Sequence, residues 1–266
     1  MLRPLTGGIA MLLARRHLAL LGAALAAAPA RAAPATVHAM TSGAFTAAYR
    51  QLVPVFERET GHRVVSAFGA SMGAAPDAIP QRLARGEPAD LVVLAAAGLE
   101  RLAAAGLLRP GSRVDLVHSR IGLAVRAGEP TPPIGTVEEL RAALLAAPSI
   151  AFSASASGVY FETELVQRLG VAAEVLPKSR RIYSERVGSV VARGDAALGL
   201  QQISELLPIP GLAMLGPLPE PVQRSTIFAA ALTARAAEPE AAAALVAFFR
   251  SPAAAPVIRA TGLDPA

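Results

Sequence analysis

The sequence predicts an α/β protein built as two lobes. Three observations predict it. Strand-like and helix-like periodicities alternate along the chain, as βαβ units require. They fall into two clusters of strands and helices. The segment "DLVVLAA", residues 90–96, is almost wholly apolar, the pattern of a strand covered on both faces in a parallel sheet.

The elements follow in order. "ATVHAM" reads as a strand, and "TSGAF" turns into "TAAYRQLVPVFERETG", where Ala48, Leu52, Val55 and Phe56 recur at helical spacing and Gly61 ends the pattern. "HRVVSAFGA" is a second strand, "SMGAAPDAIPQRLARGEPA" a loop and helix ending near Gly86, "DLVVLAA" a third strand, and "AGLERLAAAGLL" a helix. The second cluster holds strands "SRIGLAVRAG" and "SIAFSA" and helices within "TPPIGTVEELRAALLAA" and "SGVYFETELVQRLGV". "RIYS", the helix "ERVGSVVARGD" and "AALGLQQISEL", a strand entering a loop, come next; "AMLGPLP", "RSTIFAAALTAR" and helices in "EPEAAAALVAFFRS" and "AAPVIRATG" finish the chain.

At 266 residues and 53% hydrophobic, the chain buries a sizeable core, much of it alanine. Residues 1–32 stand apart: Arg15 and Arg16, an apolar run, then Ala30-Arg31-Ala32 form the pattern of an export signal cleaved near Ala32. The location expected is therefore periplasmic. The leader carries four arginines and no acids, so 25 basic residues less those four leave 21 against 20 acidic ones. A nearly neutral mature chain does not point to nucleic acid. There is no cysteine, which excludes thiol catalysis, cysteine-based metal sites and a cysteine lipid anchor. His38, His62 and His118 show no metal-ligand spacing, so neither metal nor cofactor is expected.

In open parallel sheets the binding crevice lies at the carboxyl ends of strands. Three loops there share a composition: Thr41-Ser42-Gly43, Gly69-Ala70-Ser71-Met72-Gly73 and Ser155-Ala156-Ser157-Gly158. Each joins hydroxyls to backbone N–H groups left unpaired at a helix start, a combination that favours an anion. Helix capping alone accounts for any one of them; the three together favour a small anionic ligand.

These segments resemble the molybdate-binding proteins of ABC transporters, within the extracytoplasmic solute-binding proteins. The resemblance rests on "FGASMG…IPQRLARGEPADLVVLAAAGLERLAAAGLL", "SASGVYFETELVQRLGV" and "VVARGDAALGLQQISEL". It implies the type II periplasmic binding fold, with lobe 1 formed by residues 33–117 and 229–266, lobe 2 by 118–228 with hinge strands at its ends, and a ligand cleft between them. It also implies a monomer that closes on its solute and delivers it to a membrane permease. Ser42 and Ser71 match ligand-contacting hydroxyls. Ser157 matches a backbone contact ahead of Gly158 and Tyr160, and Ser184 falls near another. Gln202 stands where molybdate binders often carry tyrosine. Arg120 opens a strand between the lobes, and an arginine in a cleft suits a carboxylate. The anion is thus an oxyanion like molybdate or a small organic acid.

No catalytic set stands out. "GASMG" formally meets the Gly-x-Ser-x-Gly pattern at Ser71, without a histidine partner. Asp77, Glu162, Glu185 and Glu205 would be bases only if they reached the cleft. Some periplasmic proteins that resemble the molybdate binders act on aconitate, so a tricarboxylate isomerase is the alternative; Tyr160 and Glu185 are its candidate bases.

Overall fold

The computed structural model describes residues 33–266; the export signal expected over 1–32 lies outside them. The first half of the described chain runs β1 (Thr36–Ser42), α1 (Gly43–Thr60), β2 (Arg63–Gly69), α2 (Ile79–Ala84), β3 (Leu91–Ala95), α3 (Ala96–Ala104), β4 (Val114–Ser119), β5 (Ile121–Arg126), α4 (Val137–Ala146) and β6 (Ile150–Ser153). Then come α5 (Ala156–Tyr160), a π-helical turn (Phe161–Leu165), α6 (Val166–Arg168), α7 (Ala172–Val175), β7 (Ser179–Ile182), α8 (Val187–Ala192), β8 (Leu198–Gln202), α9 (Ile203–Leu206), β9 (Leu212–Pro217), β10 (Thr226–Leu232), α10 (Pro239–Phe249), α11 (Ala255–Ala260) and β11 (Leu263–Pro265).

The strands form two sheets, ordered β11-β4-β10-β3-β1-β2 and β7-β6-β8-β5-β9. The chain passes from the first sheet to the second at Arg120, between β4 and β5, and returns between β9 and β10. This is the two-lobed type II binding-protein architecture. β1 runs parallel to β2 and β3, and β6 runs parallel to β7 and β8, so the carboxyl ends within each of these groups share one edge.

Side-chain alternation explains why each sheet is covered on both faces. In β3, Leu91, Val93 and Ala95 enter the core shared with α1 and α10, while Val92 and Leu94 join Ile79 and Leu99 on the other side. All five β3 residues are buried, as the apolar run predicts. In the second sheet, Phe152 packs with Tyr160 and Phe161, whereas its neighbour Ala151 packs with Val187 and Val190 of α8.

Local signals set the helix ends. Gly61 closes α1 in the left-handed conformation, φ 80°, and its N–H donates to the Glu57 carbonyl. Thr136 and Glu139 form a reciprocal capping box at the start of α4. Two strands escape the sequence patterns. β4 lies between β10 and β11, both supplied from the distant C-terminal part of the chain, and β11 is itself only three residues long. Pairing rather than local periodicity makes them strands.

Candidate functional site

A cavity of about 230 Å³ lies where the strand ends of the two sheets meet. The first lobe contributes Gly43, Thr46 and Arg50 of α1, Phe68 and Gly69 at the end of β2, then Ala70 and Asp77. The second contributes Ser153 at the end of β6, Ile182 at the end of β7 with Tyr183 through Arg186 after it, and Gln201 and Glu205 around the end of β8. Strand carboxyl ends are where an open α/β sheet leaves backbone and side chains free to meet a ligand.

The α1 contribution follows from helical spacing. Residues 43, 46 and 50 fall on one face at i, i+3 and i+7, while Phe45, Ala48, Leu52 and Phe56 turn into the hydrophobic core. The Arg50 guanidinium lies over the Phe68 ring, 4.7 Å from its centroid. From the opposite lobe, Arg186 occupies the N-cap position of α8 without a side-chain capping bond. Among the described residues neither guanidinium takes part in a side-chain ion pair. By contrast, Glu185 accepts both Nη atoms of Arg193, at 2.6 and 2.8 Å, on the exposed surface.

Glu205 sits between the lobes. The short helix α9 follows β8 of the second sheet yet packs on α1 of the first lobe. Gly43 has no Cβ, and one placed there would overlap the Glu205 carboxyl. Gln201 holds that carboxyl from the other side: its Nε2 donates to Glu205 Oε2 at 2.8 Å, while its Oε1 accepts the Val187 N–H of α8 at 3.1 Å. Only part of Glu205 opens on the cavity. The surrounding protein makes ionisation costly, and burial pushes the carboxyl up to about 7, with the nearby Arg186 pulling the other way. Close by, the Ser42 Oγ at the foot of α1 is buried without a hydrogen-bond partner among the described residues, as is Asp77 Oδ1.

Residues 37–264 match the family described as bacterial extracellular solute-binding protein. The chain belongs to that family. It is 41% identical over 230 residues to an aconitate isomerase from a Pseudomonas species, covering 86% of this chain and 88% of that protein. Among solved structures, the Azotobacter vinelandii periplasmic molybdate-binding protein shares the fold with a TM-score of 0.69 at 22% identity, covering 85% of this chain and 98% of that one. The sulfate-binding protein SubI from Mycobacterium tuberculosis H37Rv matches with a TM-score of 0.67 at 19% identity, covering 87% of each chain.

The solute-binding fold places the sequence-predicted residues unevenly. Ser184 lines the cavity. Ser42 lies one residue from it, at the N-cap of α1, where it makes no capping bond. Ser71 is fully buried, and its Oγ accepts the Ala95 N–H at 3.0 Å, tying the loop to the end of β3. That loop does not lead directly into a helix, because α2 begins only at Ile79. Ser157 shares a hydrogen bond with Ser153 at 3.0 Å and so acts behind the cavity wall. Gly158 packs against the β6 backbone so closely that a Cβ would overlap the Ser153 carbonyl.

Three further residues lie away from the cavity lining. Tyr160 is buried in the second lobe's core and donates to the Val222 carbonyl at 2.6 Å. Gln202 sits where the chain crosses between lobes, with its amide 2.8 Å from the Ser119 hydroxyl and 3.3 Å from that of Thr226. Arg120 faces outward at the same crossing, 45% exposed, with Nε 3.9 Å from Asp264. Strand alternation turns the other glutamine, Gln201, toward the cavity. Sequence reasoning passed over Arg50 and Arg186. The 43/46/50 spacing carried the signal for the first; the second had none beyond its place after a strand.

Proposed function

We propose that this chain binds a small polycarboxylate in the cavity between its lobes and isomerises it, moving a proton along an unsaturated tricarboxylate of the aconitate type. The observation that carries the reading is the pairing of two guanidiniums, Arg50 and Arg186, outside any ion pair among the described residues, with a partly buried carboxyl, Glu205, in one small cavity. Guanidinium forks grip planar carboxylates in bidentate pairs. A fully dehydrated oxyanion such as molybdate wants a compact shell of neutral donors, whereas two guanidiniums suit a ligand with more than one carboxylate. The similarity to an aconitate isomerase over most of both chains supports the same substrate class.

The second reading is a substrate-binding protein of an ABC transporter. The family and the fold shared with molybdate- and sulfate-binding proteins favour it. Here a periplasmic monomer closes on its anion and delivers it to a membrane permease. Both readings use the same cavity and need no nucleic acid and no cofactor.

Incubating the purified protein with cis- and trans-aconitate separates them. Interconversion supports the isomerase. A ligand-induced rise in melting temperature without interconversion supports transport, and a shift only with molybdate or sulfate removes the carboxylate reading.

A further inference from the structure

We propose that Glu205 is the group that carries the proton, lifting it from one carbon of the bound tricarboxylate and returning it to another; this rests on the isomerase reading above. Glu205 projects from α9 into the cavity at the junction of the two lobes, with Gly43 of α1 beneath it and Gln201 of β8 bonded to its Oε2. One carboxyl oxygen is thereby fixed by a neutral donor. The charged groups sharing the cavity are Arg50 from α1, Asp77 from the loop before α2, and Glu185 and Arg186 from the loop before α8.

The other candidates are occupied or differently placed. Glu185 is neutralised by Arg193 at the surface. Tyr160 spends its hydroxyl on a core carbonyl. Asp77 lines the same cavity without Glu205's clamp, which makes it the natural comparison. Burial also raises the Glu205 carboxyl to about 7, so at neutral pH it both accepts and releases a proton, the property that a single acid–base group needs.

The step balances without oxidant or reductant. The Glu205 carboxylate takes a proton from the methylene carbon, so a C–H bond breaks and an O–H bond forms. The electron pair delocalises through the double bond into the adjoining carboxylate, whose growing charge Arg50 and Arg186 stabilise. Glu205 then returns the proton to the former vinyl carbon. The double bond moves one position, and the conformation held about the former single bond as the proton leaves sets the cis or trans outcome.

The test follows cis- and trans-aconitate by NMR in deuterated water with the wild-type chain and with Glu205→Gln, Glu205→Asp and Asp77→Asn. The wild type is expected to interconvert the two and incorporate deuterium. Glu205→Gln should lose about 100-fold or more of both while keeping the thermal shift that aconitate induces, and Glu205→Asp should retain part of the rate. The wild-type pH profile of kcat/KM should rise through about 7. A wild type that neither interconverts nor exchanges overturns the isomerase reading, and the proton role with it. A wild type that is active while Glu205→Gln stays within a few-fold of it overturns the Glu205 assignment alone, as does loss of exchange in Asp77→Asn only. Loss of the ligand shift in Glu205→Gln makes Glu205 a binding group and overturns the proton role.

Discussion

Gly43 and Glu205 meet across the junction of the two lobes, so closely that a methyl group on the glycine would overlap the carboxyl. Gly43→Ala is therefore a test of the site rather than of helix propensity. At an ordinary helical position the change would stabilise the chain by up to about 1 kcal/mol. Here the carboxyl must swing away and give up its bond from Gln201, worth about 1 kcal/mol. The expected outcome is little net change in stability but at least a ~10-fold fall in turnover, since a small misplacement of an acid–base group is costly. Combining it with Glu205→Ala removes the overlap, so chemical denaturation should show Gly43→Ala costing less in that background than in the wild type. Equal costs in both backgrounds would mean that the two groups do not press on each other.

Glu205 should also leave a mark on stability in the absence of ligand. In the folded chain its carboxyl keeps a proton up to about 7, whereas the unfolded chain releases it in the usual carboxylate range. Between those limits the folded state binds more protons, so rising pH favours unfolding. The stability that the protonated carboxyl contributes is complete below the unfolded value and lost as pH climbs through about 7. Denaturation midpoints of wild type and Glu205→Gln, compared from pH 5 to pH 8, should diverge by on the order of 1–3 kcal/mol, with the wild type falling. A flat difference would show that the carboxyl is not buried as described.

How far the sequence carried the fold and the site can be judged from particular residues. The two lobes were legible because βαβ units announce themselves locally: the apolar run of β3 and the Gly61 stop need no distant partner. β4 and β11 were not, since each is a strand only through its neighbours in the sheet. In the site, the loops after β1 and β6 were found by composition; Ser42 lies buried one residue from the lining without a capping bond, and Ser157 braces Ser153. Gln201 and Gln202 illustrate the limit. Alternation says that they face opposite ways, but only the register, Gln201 opposite Gly122 and Gln202 opposite Ile121, decides which one reaches the cavity. Glu205 was one of four acids that needed the cleft to be found first.

The arginines separate the cavity from the crossing strands. Arg50→Ala and Arg186→Ala should each weaken aconitate binding by about 10- to 100-fold, the scale of a lost charge-assisted hydrogen bond. Lysine at either position should recover only part, because it lacks the bidentate fork. Arg120→Ala, at the exposed crossing, should leave affinity within a few-fold. Calorimetric titration of the five variants decides the matter: a large loss at Arg120 with none at Arg50 and Arg186 would move the site out of the cavity and back to the crossing.

Tyr160 provides the complementary case, a candidate ligand residue whose ring lies in the second lobe's core. Its ring is 2% exposed, and its hydroxyl donates to the Val222 carbonyl from within the second lobe. Arg224 lies over the same ring, 4.5 Å from the centroid, so the residue joins the end of α5 to the segment that returns to the first lobe. Tyr160→Phe keeps the packing and the cation–ring contact but leaves that carbonyl without its donor, which should cost about 1–2 kcal/mol. The loss is expected in the denaturation midpoint, with aconitate affinity and turnover at 25 °C nearly unchanged. A variant of full stability whose turnover collapses would return Tyr160 to the reaction as an acid–base group and take that role from Glu205.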